Sequence, residues 1–157
     1  MTRVAILLLV FLAIAGGAFA QPGIPSNHYL LTSVSVYDGD TVTADVHLGL
    51  DVVLRGQRIR LAGLDAWEIT RARRTVEITD EELVKGQQAR DGLRELLGAG
   101  AAYLVPEARG KDPYGRLLGR LVVGTERGPI DVAQQMRFRG HDRDHRDHPD
   151  HRPPAGN

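Results

Sequence analysis

Hydrophobic spacing along this chain switches between two periods, and each switch marks an element. From Tyr29 to Val46 the chain is rich in Val, Thr, Leu and Tyr and is interrupted by Asp38-Gly39-Asp40, which predicts two strands about a turn. Leu50 to Leu64 carries Val52, Leu54, Gln57, Ile59 and Leu61 with two glycines, and reads as further strand turning at Gly56. The period then lengthens. Thr79 and Glu82 have the spacing of a capping box, Leu83, Leu93, Leu96 and Leu97 recur at helical intervals, and Gly98 ends the run, so a helix is predicted over 79–97. Tyr103–Pro106 and Leu117–Val123 return to strand patterning, and Asp131–Arg139 predicts a second, short helix. Three strands, a helix, two strands and a helix in so short a span imply a small, mainly β barrel carrying helices, an α+β fold. No internal repeat is evident.

The two ends follow neither period. Val4–Ala20 is uncharged after a single Arg3 and closes on Ala18-Phe19-Ala20 before Gln21-Pro22-Gly23. Small residues at those positions suit a signal peptidase, and the run is shorter than the roughly 20 apolar residues of a bilayer span. Residues 1–20 are therefore expected to be a cleaved signal peptide. The product would be secreted or periplasmic, with no stable membrane insertion; the alternative is a protein anchored by an uncleaved N-terminal segment. Residues 21–27 read as a linker and 28–140 as the folded domain. From His141 to Asn157 the only aliphatic residue is Ala155, and His, Asp and Arg recur. Such a segment buries too little apolar surface to offset its ordering entropy, so 141–157 is expected to be a disordered tail. His141, His145, His148 and His151 are spaced so that they could hold a transition metal, although their Asp and Arg neighbours favour a hydrated segment.

Composition narrows the chemistry. The 157 residues contain 20 Lys plus Arg against 20 Asp plus Glu. Zero net charge excludes a protein held to nucleic acid by bulk electrostatics but not a local phosphate site. All the cations except Lys85 and Lys111 are arginine, whose planar fork pairs bidentately with phosphate or carboxylate. A GC-rich genome would leave the same bias. Cysteine is absent, so disulfides and thiolate metal sites are excluded and any metal must bind oxygen or imidazole.

Three clusters offer candidate chemistry. Tyr37-Asp38-Gly39-Asp40-Thr41 places two carboxylates at a turn, a pattern that hairpins also use for purely structural reasons. Arg60-Leu61-Ala62-Gly63-Leu64-Asp65-Ala66-Trp67-Glu68 is a strand that carries an arginine and ends in two acids three residues apart. Acids so placed beside others can hold a hard cation through oxygen, and can equally be a solvated loop of ion pairs. Lys111-Asp112-Pro113-Tyr114-Gly115-Arg116 is a turn that delivers an arginine into the next strand.

In this order, with the helix text Gly86-Gln87-Gln88-Ala89 between the second and third clusters, the motifs resemble the staphylococcal nuclease (thermonuclease) family from about Val34 to Met136. The resemblance implies a five-stranded OB-fold barrel with two or three helices. It implies that Asp40 and Asp65, with the backbone carbonyl of Ala66, hold a catalytic Ca²⁺. Glu68 would lie beside the attacking water, Arg60 and Arg116 would clamp the phosphate, and Tyr114 would touch substrate. Such a protein would act as a monomer on DNA and RNA with little sequence selectivity, leaving 3′-phosphate ends. The residue types suit that chemistry. Phosphodiester hydrolysis gathers negative charge on the phosphoryl oxygens, and a divalent cation with two guanidinium forks opposes that charge where it develops.

The chain departs from the family in two places. Ala66-Trp67 stands where the family usually has a small residue followed by proline, which removes a fixed φ and sets a large ring beside Glu68. A lone Trp is more often packing than a platform for a base. The family's aromatic segment and further helix are also missing, because Phe138-Arg139-Gly140 leads straight into the polar tail. Arg71, Arg73 and Arg74 either track a nucleic-acid backbone or pair with Glu77 and the acids 80–82. Two readings of other classes remain: a catalytically weak or inactive module of the cell envelope that binds nucleic acid or protein, and a metal-binding envelope protein acting through its tail.

Overall fold

The computed structural model describes residues 27–70 and 78–143. The signal-peptide assignment, nearly all of the linker, Arg71, Arg73, Arg74 and the tail from residue 144 onward lie outside the described residues. The elements are β1 (Tyr29–Val36), β2 (Thr41–Gly49), β3 (Val52–Leu61), α1 (Asp80–Gly98), β4 (Ala101–Lys111), β5 (Leu117–Thr125), β6 (Gly128–Asp131) and α2 (Val132–Phe138). The strand order is β3-β2-β1-β4-β5-β6, and β3 also pairs with β5. That last pairing is parallel, Ile59–Leu61 against Leu117–Gly119, and it closes β1 to β5 into a barrel. The result is an α+β, OB-fold-like closed barrel of five strands with two helices, and β6 extends it as a short hairpin from the far half of β5.

Alternation supplies the barrel interior. Val42, Ala44 and Val46 of β2, Ile59 and Leu61 of β3, Leu104 of β4, and Leu121 and Val123 of β5 are all buried. The helix stripe that meets them is Gly86, Ala89, Leu93 and Leu96 of α1, at intervals of three and four residues. The capping box forms as the sequence indicates, with the Thr79 hydroxyl accepting from Glu82 N–H and the Glu82 carboxylate accepting from Thr79 N–H. Val132, Ala133 and Met136 of α2 complete the cluster, capped by Asp131, which accepts from Gln134 N–H. At full burial each Leu, Ile or Val here contributes about 1.5–3 kcal/mol.

Gly56 does not make the turn that its position suggests. Strand β3 runs straight through it, and the chain reverses instead at Leu50–Asp51, between paired Gly49 and Val52. Gly56 is part of a bulge and lies in the left-handed region (φ +60°); Arg55 and Gly56 of β3 oppose Asp45 alone of β2 between the Ala44–Gln57 and Val46–Leu54 pairs. Asp45 makes the bulge possible. Its carboxylate accepts from Gly56 N–H (2.8 Å) and from Arg55 Nη1 (2.9 Å). Strand β6 has only four residues, and the sequence pattern did not indicate it.

The ordered chain also continues past residue 140. Gly140 takes φ +78°, His141 N–H donates to Met136 O (3.0 Å), and residues 141–143, which composition assigns to the tail, lie against α1 and the loop that follows β3. The His141 ring sits on α1 so closely that a Cβ at Gly92 would meet its Nε2 at 2.8 Å. Burial, and then the nearby Arg139, lower the pKa of His141 below its ordinary 6.5.

Two expectations follow from this packing. Leu50 and Asp51 both adopt positive φ (+49° and +60°) in a two-residue turn that favours Asn-Gly, and Leu50 is fully exposed. Replacing the pair by Leu50→Asn with Asp51→Gly should stabilise the protein by about 1 kcal/mol, read as a higher Tm. For His141, the unfolded chain takes up a proton at higher pH than the folded chain does. The stability that the neutral ring contributes is therefore complete above about pH 6.5 and lost as pH falls through the lowered folded value. In pH-dependent melting, the Tm advantage of wild type over His141→Asn should be constant above that pH and shrink below it.

Candidate active site

The site begins with a carboxylate removed from water. Asp40, at the start of β2, is only 5% exposed. One of its oxygens pairs with Arg60 Nη1 and accepts from Thr41 Oγ1 (3.0 Å), and the other accepts from Ala66 N–H (2.9 Å). Its own backbone carbonyl accepts from Leu61 N–H (2.8 Å), so the turn is also stitched to β3. Arg60 is available because β3 alternates: Ile59 and Leu61 face the core, which sends Arg60 to the other side. Its Nη2 reaches Asp65 Oδ1 at 3.0 Å. One guanidinium thus joins both carboxylates that the sequence proposed as metal ligands, Asp40 buried and Asp65 with its side chain 54% exposed.

Arg116 reaches the same place from the β4–β5 turn. Asp112 organises that turn, one oxygen accepting from Tyr114 N–H and Arg116 N–H (both 2.9 Å) and the other from Arg116 Nε (2.7 Å). Burial pushes the Asp112 carboxyl up, but the Arg116 side chain and these backbone donors outweigh it and hold the group below the usual carboxylate range. Arg116 Nη1 then donates to Thr41 Oγ1 (3.1 Å). Thr41 is wholly buried, and its own hydroxyl donates a hydrogen bond to Asp40. Asp112, Arg116, Thr41, Asp40, Arg60 and Asp65 therefore form one continuous polar chain, with acids and bases alternating across three loops.

Small residues let the loop between β3 and α1 close on this chain. A Cβ at Gly39 would meet the methyls of Ala66 and Ala89 at 2.5 and 2.7 Å, so the β1–β2 turn, the loop and the helix touch there. A Cβ at Gly86 would meet the Glu68 carbonyl oxygen at 2.2 Å and the Trp67 carbonyl oxygen at 2.9 Å. Helix α1 thus presses directly on the backbone that presents Glu68. The Trp67 ring lies 4.9 Å from Lys85 Nζ and 5.5 Å from the Arg143 guanidinium carbon. The ring thus packs between two cations while it also lines the cleft.

These elements surround a cleft of about 570 Å³. Its lining contains every proposed site residue: Asp40, Arg60, Asp65, Ala66, Glu68, Tyr114 and Arg116. Sequence reasoning assigned no role to several other residues. Asp38 also lines the cleft; burial raises its carboxyl pKa, while Thr41, Arg60 and Arg116 offset part of the rise. Tyr37 is half-exposed beneath Arg58 (5.1 Å from ring centroid to guanidinium carbon), and Tyr114 is 85% exposed beside Arg116 (5.6 Å). Asp112 was legible only as part of a turn, although an Asp before Pro-Tyr-Gly is the residue type that accepts from its own turn's N–H groups. Asp142 and Arg143 had no local signal at all.

The donor set suits a hard divalent cation and no softer one. Two carboxylates within reach of one guanidinium, with the Ala66 carbonyl available, are all oxygen. Among the described residues no three His, Asp or Glu side chains cluster as a metal site, so water and substrate oxygens would have to complete a coordination shell of about six to eight. In comparisons with known proteins, no family model matches the chain and no curated protein matches it in sequence.

The close approach at Gly86 gives a test with a definite sign. Helix propensity alone predicts that Gly86→Ala gains about 1 kcal/mol. Because the new methyl meets backbone and not a movable side-chain end, the net effect should be a loss of about 1–3 kcal/mol, measured by thermal or denaturant unfolding. A stabilised variant would mean that the loop does not rest on α1.

Proposed function

We propose that this protein is an exported, Ca²⁺-dependent nuclease of the staphylococcal nuclease type, hydrolysing phosphodiester bonds of DNA and RNA with little sequence selectivity. One observation carries the reading: two arginines, two acids joined through one of them, and Glu68 share a single cleft on an OB-fold-like barrel. The position of the cleft adds support. It is lined by the β1–β2 turn, the outer face of β3 and the β4–β5 turn, which is where OB-folds commonly bind oligonucleotides.

In this reading Asp40, Asp65 and the Ala66 carbonyl would hold Ca²⁺, which when bound supplies positive charge against the phosphoryl oxygens. Arg60 and Arg116 use part of their fork on the chain's own acids and on Thr41, and each keeps further N–H donors for phosphate. Because those internal bonds fix the guanidiniums beforehand, little reorganisation is needed when charge develops. Glu68, half-buried on the cleft wall, would orient a water or accept its proton. Exposed Tyr114 offers a sugar or base a flat apolar face. With the family's later aromatic segment missing, affinity would rest mainly on phosphate contacts, which accords with low sequence selectivity.

The test is cleavage of single-stranded DNA and of RNA by the processed protein with Ca²⁺ and then with a chelator. Glu68→Ala and Arg116→Ala should each lose on the order of 10² to 10³ in rate with the fold intact by circular dichroism, and chelation should abolish turnover. Absence of Ca²⁺-dependent cleavage by wild type would falsify the nuclease assignment, and binding without cleavage would leave the envelope binding module.

A further inference from the structure

We infer that the segment His141–Arg143 is a strap that positions the loop carrying Asp65, Ala66 and Glu68, so that the cleft depends on residues beyond the last helix. The inference rests on the nuclease reading for the role of that loop, but its structural part stands independently. The loop leaves β3 at Leu61, and none of its described residues, 62–70, lies in a helix or strand; α1 meets it at Gly86. The strap holds it at a second place.

The contacts fall on one residue and its neighbour. Asp65 N–H donates to Asp142 Oδ1 (3.2 Å), and the Asp65 carbonyl accepts from Arg143 N–H (2.8 Å). Both main-chain groups of Asp65 are thereby fixed by two consecutive strap residues, which sets where its carboxylate can point. Two residues on, Arg143 covers one part of the Trp67 surface and Lys85 of α1 another (5.5 and 4.9 Å). At the loop's beginning, Arg137 of α2 donates to the Gly63 carbonyl. The strap is itself anchored: Gly140 turns the chain at φ +78°, His141 N–H donates back to Met136 O, and the His141 ring lies against Gly92 of α1.

Burial distinguishes this from a chance surface contact. Asp142 is 6% exposed, in a segment whose composition would otherwise leave every side chain in water. A carboxylate gives up hydration only where donors replace it, and a backbone N–H of the loop is one of them. Asp142 and Arg143 meet the loop at Asp65 and Trp67. They are positioning residues acting through Asp65 and Trp67.

Trp67 is the chain's single tryptophan, so its emission reports on the strap directly. The full-length protein would carry Asp142→Ala, Asp142→Asn, Arg143→Ala or, as a control, Glu95→Gln, which loses the Arg139 ion pair at the same end of the molecule without touching the loop. Trp67 emission, Ca²⁺ affinity by calorimetry and Tm would be measured on each. Asp142→Ala and Arg143→Ala should shift Trp67 emission to longer wavelength and weaken Ca²⁺ binding at least ten-fold. Asp142→Asn, which keeps an oxygen for Asp65 N–H, should recover most of that loss, and the control should match wild type. Unchanged emission in both alanine variants would show that the strap does not hold the loop. Shifted emission with unchanged Ca²⁺ affinity would overturn the positioning role. If wild type itself binds no Ca²⁺, the nuclease reading fails and the positioning role with it, while the emission result still decides whether the strap exists.

Discussion

Burial of the Asp40 carboxylate is the constraint on which the rest of the site depends. A carboxylate at 5% exposure is tolerable only if its charge is balanced and its oxygens are bonded. Arg60 supplies the charge, and Thr41 Oγ1 and Ala66 N–H supply bonds. Each partner comes from a different part of the chain: the next residue, the end of β3 and the loop after it. Satisfying one buried group therefore brings the three together. Removing Asp40 would leave Arg60 short of a counter-charge, a loss of the kind that costs about 3–5 kcal/mol when a buried pair is broken. The same oxygens tie the turn to the loop, so folding itself brings Asp40 and Asp65 onto one guanidinium.

Close approach does for the backbone what this ion pair does for the side chains. Gly39, Ala66 and Ala89 meet at separations that exclude any larger side chain, and Gly86 admits the Trp67–Glu68 backbone onto the helix. Helix α1 therefore has two jobs. Leu93 and Leu96 bury apolar area against the barrel, and the small residues one to two turns earlier set the height of the loop that carries Glu68. A glycine inside a helix costs stability relative to alanine, so its presence at residue 86 exchanges helix propensity for proximity.

Much of this was legible in the sequence, for reasons that differ by residue. The barrel and α1 could be read because alternation and a 3.6-residue stripe are one-dimensional signals, and the Thr79–Glu82 capping box is local. Gly56 misled because a glycine between strands reads as a turn, whereas here its N–H is taken up by Asp45, eleven residues away. Strand β6 escaped because four residues bracketed by turn chemistry carry no period. Asp40, Arg60, Asp65, Glu68 and Arg116 were singled out because their motifs together resemble those of a nuclease family, and the fold brings all five to one cleft. Asp112 lay inside one of those motifs and was visible only as a turn residue, because its bond to Arg116 Nε is a side-chain choice that composition does not encode. Asp142 was invisible. It belongs to a stretch of repeating His, Asp and Arg, and only its placement against Asp65 separates it from the neighbours it resembles.

The balance of charge that describes the whole chain also describes the cleft, and there it has a consequence. Its lining carries Asp38, Asp40, Asp65 and Glu68 against Arg58, Arg60 and Arg116, one negative charge in excess. An anionic phosphodiester gains little by approaching such a surface, however well the guanidiniums are aimed, since Arg60 and Arg116 are already shared with acids. A divalent cation on the Asp40–Asp65 pair would reverse the sign of the lining to one positive charge in excess. On the proposed reading, metal dependence therefore follows from charge as much as from chemistry: the residues that make the arginines rigid also cancel them, and the cation restores the attraction. On that reading substrate affinity is tied to the metal more than to the protein surface, as expected of a chain with zero net charge.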